Sequence, residues 1–342
     1  MVHLRIVAPE EAARRAIELL EASPSVSSVV VFEGAAKKPA GDVILCDLAR
    51  EDASLLIDDL RELGIPKTGS IALDHIDTVI SEAAEAAEQE APGRTSDAVI
   101  WEDVAHRAQE MTEFSLTFLA FMVLAMLIAA VGILLDQPIL IVGAMVVGPE
   151  FGPLAGLSVA IVERRPALIR RSLSALALGF PIGVVVTFLM TLGIDGLDLV
   201  PEDFQPADHP LTDFIAQPDF FSFFVAYIAG TAGVLALTSA KSGALVGVLI
   251  SVTTIPAAAN VGVASALGEW REAPGAAAQL GINLAAIVLA GVVTLSLQRR
   301  VYVSRRVRHL REPVRRRAGL PVGRSSRSVL AGPPKKEEDA AE

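Results

Sequence analysis

A short motif inside a long apolar run combines one carboxylate with residues that break helices. Its residues are Gly148, Pro149, Glu150, Gly152 and Pro153. The surrounding run, 138–162, is hydrophobic enough to cross a bilayer, so Glu150 is expected near the midplane, where an ionised side chain costs about 2.5 to 3.5 kcal/mol. Each proline leaves an upstream carbonyl unpaired, so the span is expected to kink there. The motif is therefore a candidate for carrying a proton or binding a cation.

The same motif also has a structural interpretation. Gly148, Gly152 and Gly156 recur at every fourth position and form a flat face that a neighbouring helix can approach closely. Glu150 could then cap a half-helix that begins near Pro153. A neutral Ser or Asn could cap at a lower cost, which favours the functional interpretation.

A second polar patch lies further along the chain, and its candidate residues are Thr253, Thr254, Pro256, Asn260 and Asn283. Threonine hydroxyls often bond back to their own helix, which favours a structural role for the two threonines. The two asparagines are larger amides at membrane depth, and each could bridge helices or line a pathway.

Six apolar runs have about the 20 residues that a membrane-spanning helix needs. They are 114–135, 138–161, 172–194, 220–240, 242–266 and 276–297. An even count places both ends of the chain on one side of the membrane. The fold class is therefore a polytopic α-helical membrane protein with six transmembrane helices, and the lipid bilayer is its first partner.

The distribution of arginine predicts the orientation of these spans. Arginines follow the second span at 164–171 and the sixth at 299–306, whereas the loop at 195–219 is acidic. By the positive-inside rule the arginine-rich loops lie in the cytoplasm. We therefore expect a multi-pass protein of the inner (plasma) membrane with both termini cytoplasmic.

The spans also indicate an internal repeat. Gly143 and Gly247 are 104 residues apart, and Pro153 and Pro256 are 103 residues apart. Three spans per unit is an odd number, so the second unit must enter the membrane upside down. A 3+3 inverted repeat with a broken middle helix in each half is typical of transporters with a site at the midplane.

Both ends of the chain are polar, with opposite charge. Residues 1–113 hold 10 Lys/Arg against 23 Asp/Glu, and residues 298–342 hold 13 against 5. The acidic first part argues against nucleic-acid binding. The basic segment 298–318 has valines and a leucine at helical spacing, which predicts an amphipathic helix on anionic lipid. Residues 319–342 have the composition of a disordered tail.

Residues 1–76 have the alternating pattern of a small α+β domain. The order is strand 4–8, helix 9–22, strands 26–33 and 42–48, helix 51–63 and strand 70–74, which is the βαββαβ order of a ferredoxin-like domain. A structural or dimerising role is favoured for it, and homo-oligomers are left open. Residues 77–113 are interpreted as an acidic helical connector.

The sequence holds no motif that indicates an enzyme, a cofactor or a metal site. It has one cysteine, Cys46, and five scattered histidines, and it lacks phosphate-loop, zinc-protease and nucleophile-elbow motifs. We therefore expect no catalytic residues and no bound cofactor.

Several segments of the apolar part resemble the uncharacterised hydrophobic domain family known as domain of unknown function 389 (DUF389) of bacteria. They are Gly143–Met145, Gly148–Pro149, Gly152–Pro153, Arg171–Leu173, Pro218–Asp219 and Gly247–Pro256. The resemblance implies a multi-span membrane protein with a small cytoplasmic domain in front, and it implies no established activity. Glu150 stands where the family usually has an apolar residue, and Pro256 stands where it usually has two prolines.

Two functions compete at this point. The broken, polar spans favour a secondary transporter or permease for a small solute or ion. The N-terminal domain is compatible instead with a membrane-anchored sensor or scaffold that binds a ligand or partner without transport.

Overall fold

The computed structural model describes residues 1–76, 78–91, 98–200, 219–239 and 254–322, and the chain divides into two compact units. We name them the terminal unit, which contains Met1–Glu102 and Leu297–Glu342, and the helical unit, Asp103–Ser296. The terminal unit thus joins residues from both ends of the chain.

The terminal unit contains an antiparallel sheet of four strands in the order β2-β3-β1-β4. The strands are β1 (Val2–Ala8), β2 (Val26–Lys37), β3 (Ala40–Leu48) and β4 (Ser70–His75). In β1 every second residue is apolar and buried, which places one face of the sheet in the core. The predicted loop at Gly34–Gly41 is shorter than expected, because β2 and β3 remain paired as far as Lys37 and Ala40.

Helices α1 (Glu10–Glu21), α2 (Arg50–Glu62) and the short α3 (Ile65–Thr68) cover the core face of this sheet. A further helix, α4 (Glu82–Glu90), contacts β2 and β3. Buried leucines and alanines of α1 and α2 join the sheet in one hydrophobic core, in the order of elements that the sequence predicts. Cys46 lies in this core, and burial raises the pKa of its thiol to about 12.

The hydrophobic core of the sheet includes residues from outside 1–76. They are Ile100 from the predicted connector, Ala318 from the basic segment and Leu320 from the predicted tail. The tail predicted to be disordered from residue 319 is therefore ordered at its start, and 323–342 lie outside the described residues. The connector and the C-terminal segment pack into this core because a small sheet with helices on one face leaves apolar surface to cover.

The helical unit contains the apolar helices of the chain. In chain order the remaining helices are α5 (Trp101–Glu110), α6 (Leu116–Leu134), α7 (Pro138–Val147), α8 (Phe151–Glu163), α9 (Pro166–Asp195), α10 (Phe220–Thr238), α11 (Ile255–Ala266), α12 (Glu272–His309) and α13 (Pro313–Arg317). Within the described residues, α6, α9, α10 and α12 are each long and apolar enough to cross a membrane, and α7 with α8 forms a further pair bent by 52°. The chain is consistent with a multi-pass membrane protein.

Two predicted segments differ from the observed helices. Helix α12 continues without a break from the last predicted span to His309, so the basic segment begins as an extension of that span. Of the predicted fifth span, 242–266, only α11 and Thr254 fall within the described residues.

Candidate functional site

The break between α7 and α8 lies at the motif that the sequence singles out. Gly148 leaves the helical conformation with φ −62° and ψ 128°, and α8 begins at Phe151. Pro149 cannot donate the hydrogen bond that would continue α7, whereas Pro153 falls in the first turn of α8, where a missing N–H is tolerated. The break is therefore set by local sequence.

Glu150 is wholly buried at this break, and its side chain makes no capping hydrogen bond to α8. Glu150 thus occupies the capping position of α8 without the side-chain hydrogen bond of a typical cap. Instead, the hydroxyl of Thr254 donates a hydrogen bond to Oε1 of Glu150 over 2.7 Å. Thr254, also wholly buried, immediately precedes α11. The two broken segments predicted to carry a site thus meet side chain to side chain.

Gly148 makes this contact sterically feasible. A Cβ atom at position 148 would collide with Oε2 of Glu150 and would come within 2.7 Å of Cγ1 of Ile255. The side chains of Glu150 and Ile255 therefore occupy the space that any larger residue at 148 would need.

Two helices begin close to the contact between Glu150 and Thr254. Helix α8 begins one residue after Glu150, and α11 begins one residue after its hydrogen-bond donor Thr254. Each helix N-terminus carries about half a positive charge, which favours a negative group nearby. A hydroxyl that donates to a carboxylate forms a charge-assisted hydrogen bond.

The other predicted site residues divide between this site and packing. Pro256 and Asn260 are buried in α11, and Pro149 and Pro153 flank the break. Gly152 lies against the backbone of Met111, which indicates a packing role. Asn283 on α12 accepts a hydrogen bond from Gln279, one turn earlier on its own helix. Thr253 lies outside the described residues.

A second buried carboxylate, Asp59 in the terminal unit, was not predicted from the sequence. It is wholly buried on α2 and pairs with Arg306, His309 and Arg315 from the C-terminal segment. Arg306 Nη1 lies 2.5 Å from Asp59 Oδ1, and His309 Nε2 lies 2.8 Å from Asp59 Oδ2. No sequence signal singled out Asp59, because the core face of α2 is formed by Ala53, Leu56, Ile57 and Leu60, and Asp59 lies beside that face.

The charges of this cluster shift the pKa values of its members. Burial alone would raise the pKa of Asp59, but the hydrogen bond from His309 and the charges of Arg306, His309 and Arg315 outweigh it, so the pKa lies below its usual value. Burial would lower the pKa of His309, but Asp59 and Glu312 stabilise its charged form and raise it. The cluster therefore holds opposite charges in contact near neutral pH.

Part of the basic segment 298–318 therefore packs against the rest of the terminal unit, and some of its arginines are buried there. Arg306 and Arg315 are buried, and Val314 packs against the hydrophobic core. The expected amphipathic helix on the lipid surface needs correction to that extent. Contact with anionic lipid stays a prediction, for which the exposed side chains are Arg308, Arg311, Arg316 and Arg317.

Comparison with known proteins agrees with the resemblance in the apolar part. The family model described as "Domain of unknown function (DUF389)" matches residues 145–289. The predicted resemblance is thereby confirmed over this segment, which contains both Glu150 and Thr254.

A distant relative extends the comparison beyond that segment. The chain is 25% identical over 246 residues to "Uncharacterized protein MJ0678" of Methanocaldococcus jannaschii, which covers 72% of this chain and 73% of that protein. The sequence resemblance was to a bacterial family, whereas this relative is archaeal, so the similarity extends beyond bacteria. No solved structure matches the chain.

Proposed function

We propose that this chain, which carries a DUF389 domain, is a secondary transporter or permease for a small solute or ion, with its site at Glu150 and Thr254. The observation that carries the proposal is the hydrogen bond between these two residues, which joins the break between α7 and α8 to the start of α11 inside an apolar unit. A buried carboxylate is costly at membrane depth, and it commonly marks an ion or substrate pathway.

Six membrane crossings fit the proposal best. Asp59 and Arg306 pair in one unit although they flank the helical unit in sequence, so both ends of that unit emerge on the same side of the membrane. The number of crossings is then even. Helices α6, α9, α10 and α12 give four, and α7 with α8 gives a fifth, because a 52° bend does not reverse the chain as a re-entrant loop must. We assign the sixth to the predicted span 242–266.

The described helices support the inverted repeat. Helices α6 and α10 each have 19 residues, and they begin 104 residues apart. The starts of α8 and α11 are also 104 residues apart. The first pair also begins alike: the side chain of Ser115 accepts from the backbone of Phe118, and that of Asp219 accepts from the backbone of Ser222. Equal lengths, spacing and caps are expected of two copies of one unit.

Contacts between helices recur with the same offset of 104 residues that separates Glu150 and Thr254. Two contacts each pair a glycine with a hydroxyl residue across two helices. Gly262 on α11 faces Thr187 and the carbonyl of Val184 on α9, and Ser158 on α8 faces Gly291 and the carbonyl of Val288 on α12. Each residue of the first set has its counterpart in the second set, which supports a two-fold relation between the halves.

A second contact recurs in the same way. Gly183 on α9 receives the side chain of Met126 from α6. At the positions 104 residues later, Gly230 on α10 lies against the backbone of Ile287 on α12. The glycine changes helix between the halves, but the helices approach closely at the same place.

The repeat explains why the site lies at Glu150. Glu150 and Thr254 are equivalent positions of the two halves, 104 residues apart, and they are in contact. A residue that touches its own counterpart lies at the axis that relates the halves. In an inverted repeat this axis runs in the membrane plane, so a site on it is equally distant from both surfaces. Alternating access to both sides needs such a position.

The orientation follows the positive-inside rule. Arg164 and Arg165 lie between α8 and α9, and Arg170 and Arg171 lie in the first turns of α9. We place this end of α9, and both chain termini, in the cytoplasm. The end of α9 at Asp195 then faces the far side, by which we mean the side of the membrane opposite the cytoplasm.

Transport by purified protein in liposomes tests the proposal. Ion and solute movement is measured under imposed pH and ion gradients for the wild type, Glu150→Gln and Glu113→Gln. We expect Glu150→Gln to lose transport, because the amide cannot take up or release a proton or neutralise a cation. Glu113 is exposed, and its matched substitution should leave transport unchanged. Absence of movement by the wild type, or full activity of Glu150→Gln, would refute the proposal.

A second candidate function concerns the terminal unit, for which we propose a ferredoxin-like domain from its strand order. A cavity of about 240 Å³ lies in this unit, and Asp52, Arg305, Arg308 and His309 are among the residues that line it. This cavity favours the sensor alternative. Ligand-dependent stabilisation of the full chain, lost in Arg308→Ala, would support it, and a screen of small charged metabolites without any stabilisation would count against it.

A further inference from the structure

Among the described residues, helix α9 carries buried hydroxyl groups without a hydrogen-bond partner, at Ser172 near its start and at Thr187 and Thr191 nearer its end. Thr187 and Thr191 are wholly buried, and within the described part of the chain their hydroxyls make no hydrogen bond. Ser158 and Thr231, by contrast, donate to carbonyls one turn earlier on their own helices, over 3.0 Å each. Such back-bonding is the usual way in which a hydroxyl is satisfied inside a helix. The hydroxyls of Thr187 and Thr191 are therefore available to a mobile partner.

These two threonines continue a line of polar groups that begins at Glu150. Helix α11 runs from Thr254 to Asn260 and then to Gly262, against which the side chain of Thr187 lies. At 1.5 Å per residue, Gly262 is about 12 Å from Thr254 along the helix. Thr191 follows Thr187 by one turn, toward the end of α9 that we assign to the far side.

The corresponding positions of the other half carry no hydroxyl or amide on their own side chains, although Ser158 lies against one of them. The positions equivalent to Asn260, Thr187 and Thr191, each displaced by the repeat offset of 104 residues, are Gly156, Gly291 and Leu295. In the equivalent contact the hydroxyl belongs to Ser158, which lies against Gly291 and donates to the carbonyls of Leu154 and Val288. The hydroxyl of Thr187 differs in that it has no hydrogen-bond partner among the described residues.

We propose that Asn260, Thr187 and Thr191 line a hydrated lane through which protons reach Glu150 from the far side. The proposal rests on the transport function of Glu150 and names its substrate class as the proton. Hydroxyl and amide groups both donate and accept, so they can hold a chain of waters in apolar surroundings. In the last step a hydronium ion gives up a proton: its O–H bond breaks to leave water, and a new O–H bond forms on a carboxylate oxygen of Glu150.

Proton flux tests the lane. Protein in liposomes receives a pH step, and a trapped pH-sensitive dye records proton entry. Removal of both hydroxyls in Thr187→Val with Thr191→Val should slow entry about tenfold, since each lost hydrogen bond weakens the hydration of the lane. The double Thr→Ser variant should restore the rate to near the wild type, because serine keeps the hydroxyl. Thr231→Val is the matched control, and its rate should not change.

Two flux results would overturn the proposal. One is a double valine variant as fast as the wild type in protein whose flux Glu150→Gln abolishes, which would leave the transport function standing. The other is a wild-type flux carried by Na⁺ and independent of the pH step, which would assign the site to a different cation.

Thiol accessibility tests the lane without any transport. Thr187→Cys and Thr191→Cys are exposed in turn to Ag⁺ from each side of the membrane, and the remaining free thiol is titrated after denaturation. The native Cys46 is buried and its thiol pKa is raised to about 12, so the unsubstituted chain gives the background. We expect reaction from the far side to be much faster than for Thr231→Cys. Reaction no faster than that of the control would refute the lane whether or not the wild type transports.

Discussion

The chain buries a carboxylate completely in each of its two units, and the two are held in different ways. Asp59 in the terminal unit forms ion pairs with Arg306, His309 and Arg315. Glu150 in the helical unit accepts a hydrogen bond from the hydroxyl of Thr254. The carboxylate of Asp59 is held by positive charges. The carboxyl group of Glu150 is held by a neutral hydroxyl, which can donate to a carboxylate or accept from a carboxylic acid.

This difference indicates what each carboxylate does. Removal of one member of a buried ion cluster leaves the others charged and unpaired, so Asp59 stabilises the attachment of the C-terminal segment. A buried carboxylate that accepts from a hydroxyl, without an opposite charge to hold it, suits the transport role that we propose for Glu150. Substitutions in the two units should therefore separate stability from transport.

The largest expected effect is that of Asp59→Asn on the stability of the terminal unit. The amide has nearly the same volume but leaves Arg306 and Arg315 buried without their anion, so we expect a loss of about 3 to 5 kcal/mol. Trp101 is buried in this unit, and its fluorescence in a Trp270→Phe background reports unfolding by urea. Asp74→Asn on exposed β4 is the control. A loss below about 1 kcal/mol would place Asp59 with ordinary surface ion pairs.

Glu150→Gln is the corresponding substitution of the buried carboxylate in the helical unit. The stability of the helical unit should stay the same or rise, because the amide avoids the cost of a buried charge, while transport is lost. Asp59→Asn protein that remains folded should still transport.

An intermediate effect is expected where the helical unit depends on small residues. Gly230→Ala places a Cβ within 2.8 Å of the backbone of Ile287, which cannot move aside as a flexible side chain can. We expect a loss of about 1 to 3 kcal/mol in the unfolding of the protein in detergent. Gly281→Ala, whose Cβ meets no atom within 4 Å, is the matched control and should be neutral or stabilising. Equal stability of the two variants would contradict the proposed close approach of α10 and α12.

The smallest effect concerns the pH dependence of the terminal unit. The raised pKa of His309 means that its contribution is full below the ordinary histidine pKa of about 6.5 and is lost as the pH rises through the folded value. The lowered pKa of Asp59 means that its contribution is lost as the pH falls through the folded value. Stability should therefore decline on both sides of a maximum.

His309→Gln should remove the decline on the alkaline side and leave the acid side in place. Urea unfolding followed by Trp101 fluorescence across a pH series measures both slopes. His106→Gln, an exposed histidine of the helical unit, is the control. An alkaline slope that persists in His309→Gln would assign it to another group.

The sequence alone determined the features that depend on local chemistry. Alternation of apolar residues fixed the strands and helices of the terminal unit, and the length of each apolar run fixed α6, α9 and α10 as candidate spans. Pro149 fixed the break before Glu150, since a missing N–H acts within one helical turn. Even the contact of Glu150 with the Thr254 segment could be anticipated from the spacing of glycines and prolines.

Only the tertiary structure decided which distant groups meet. The pairing of Asp59 with Arg306 and Arg315 joins residues about 250 apart, and no periodicity in either segment encodes that partner. The same holds for the side chains of α9 that lie against α11, because an unpaired hydroxyl is recognised only after every neighbouring donor and acceptor is known. Local patterns give the elements, whereas the partner of a buried polar group depends on how those elements pack.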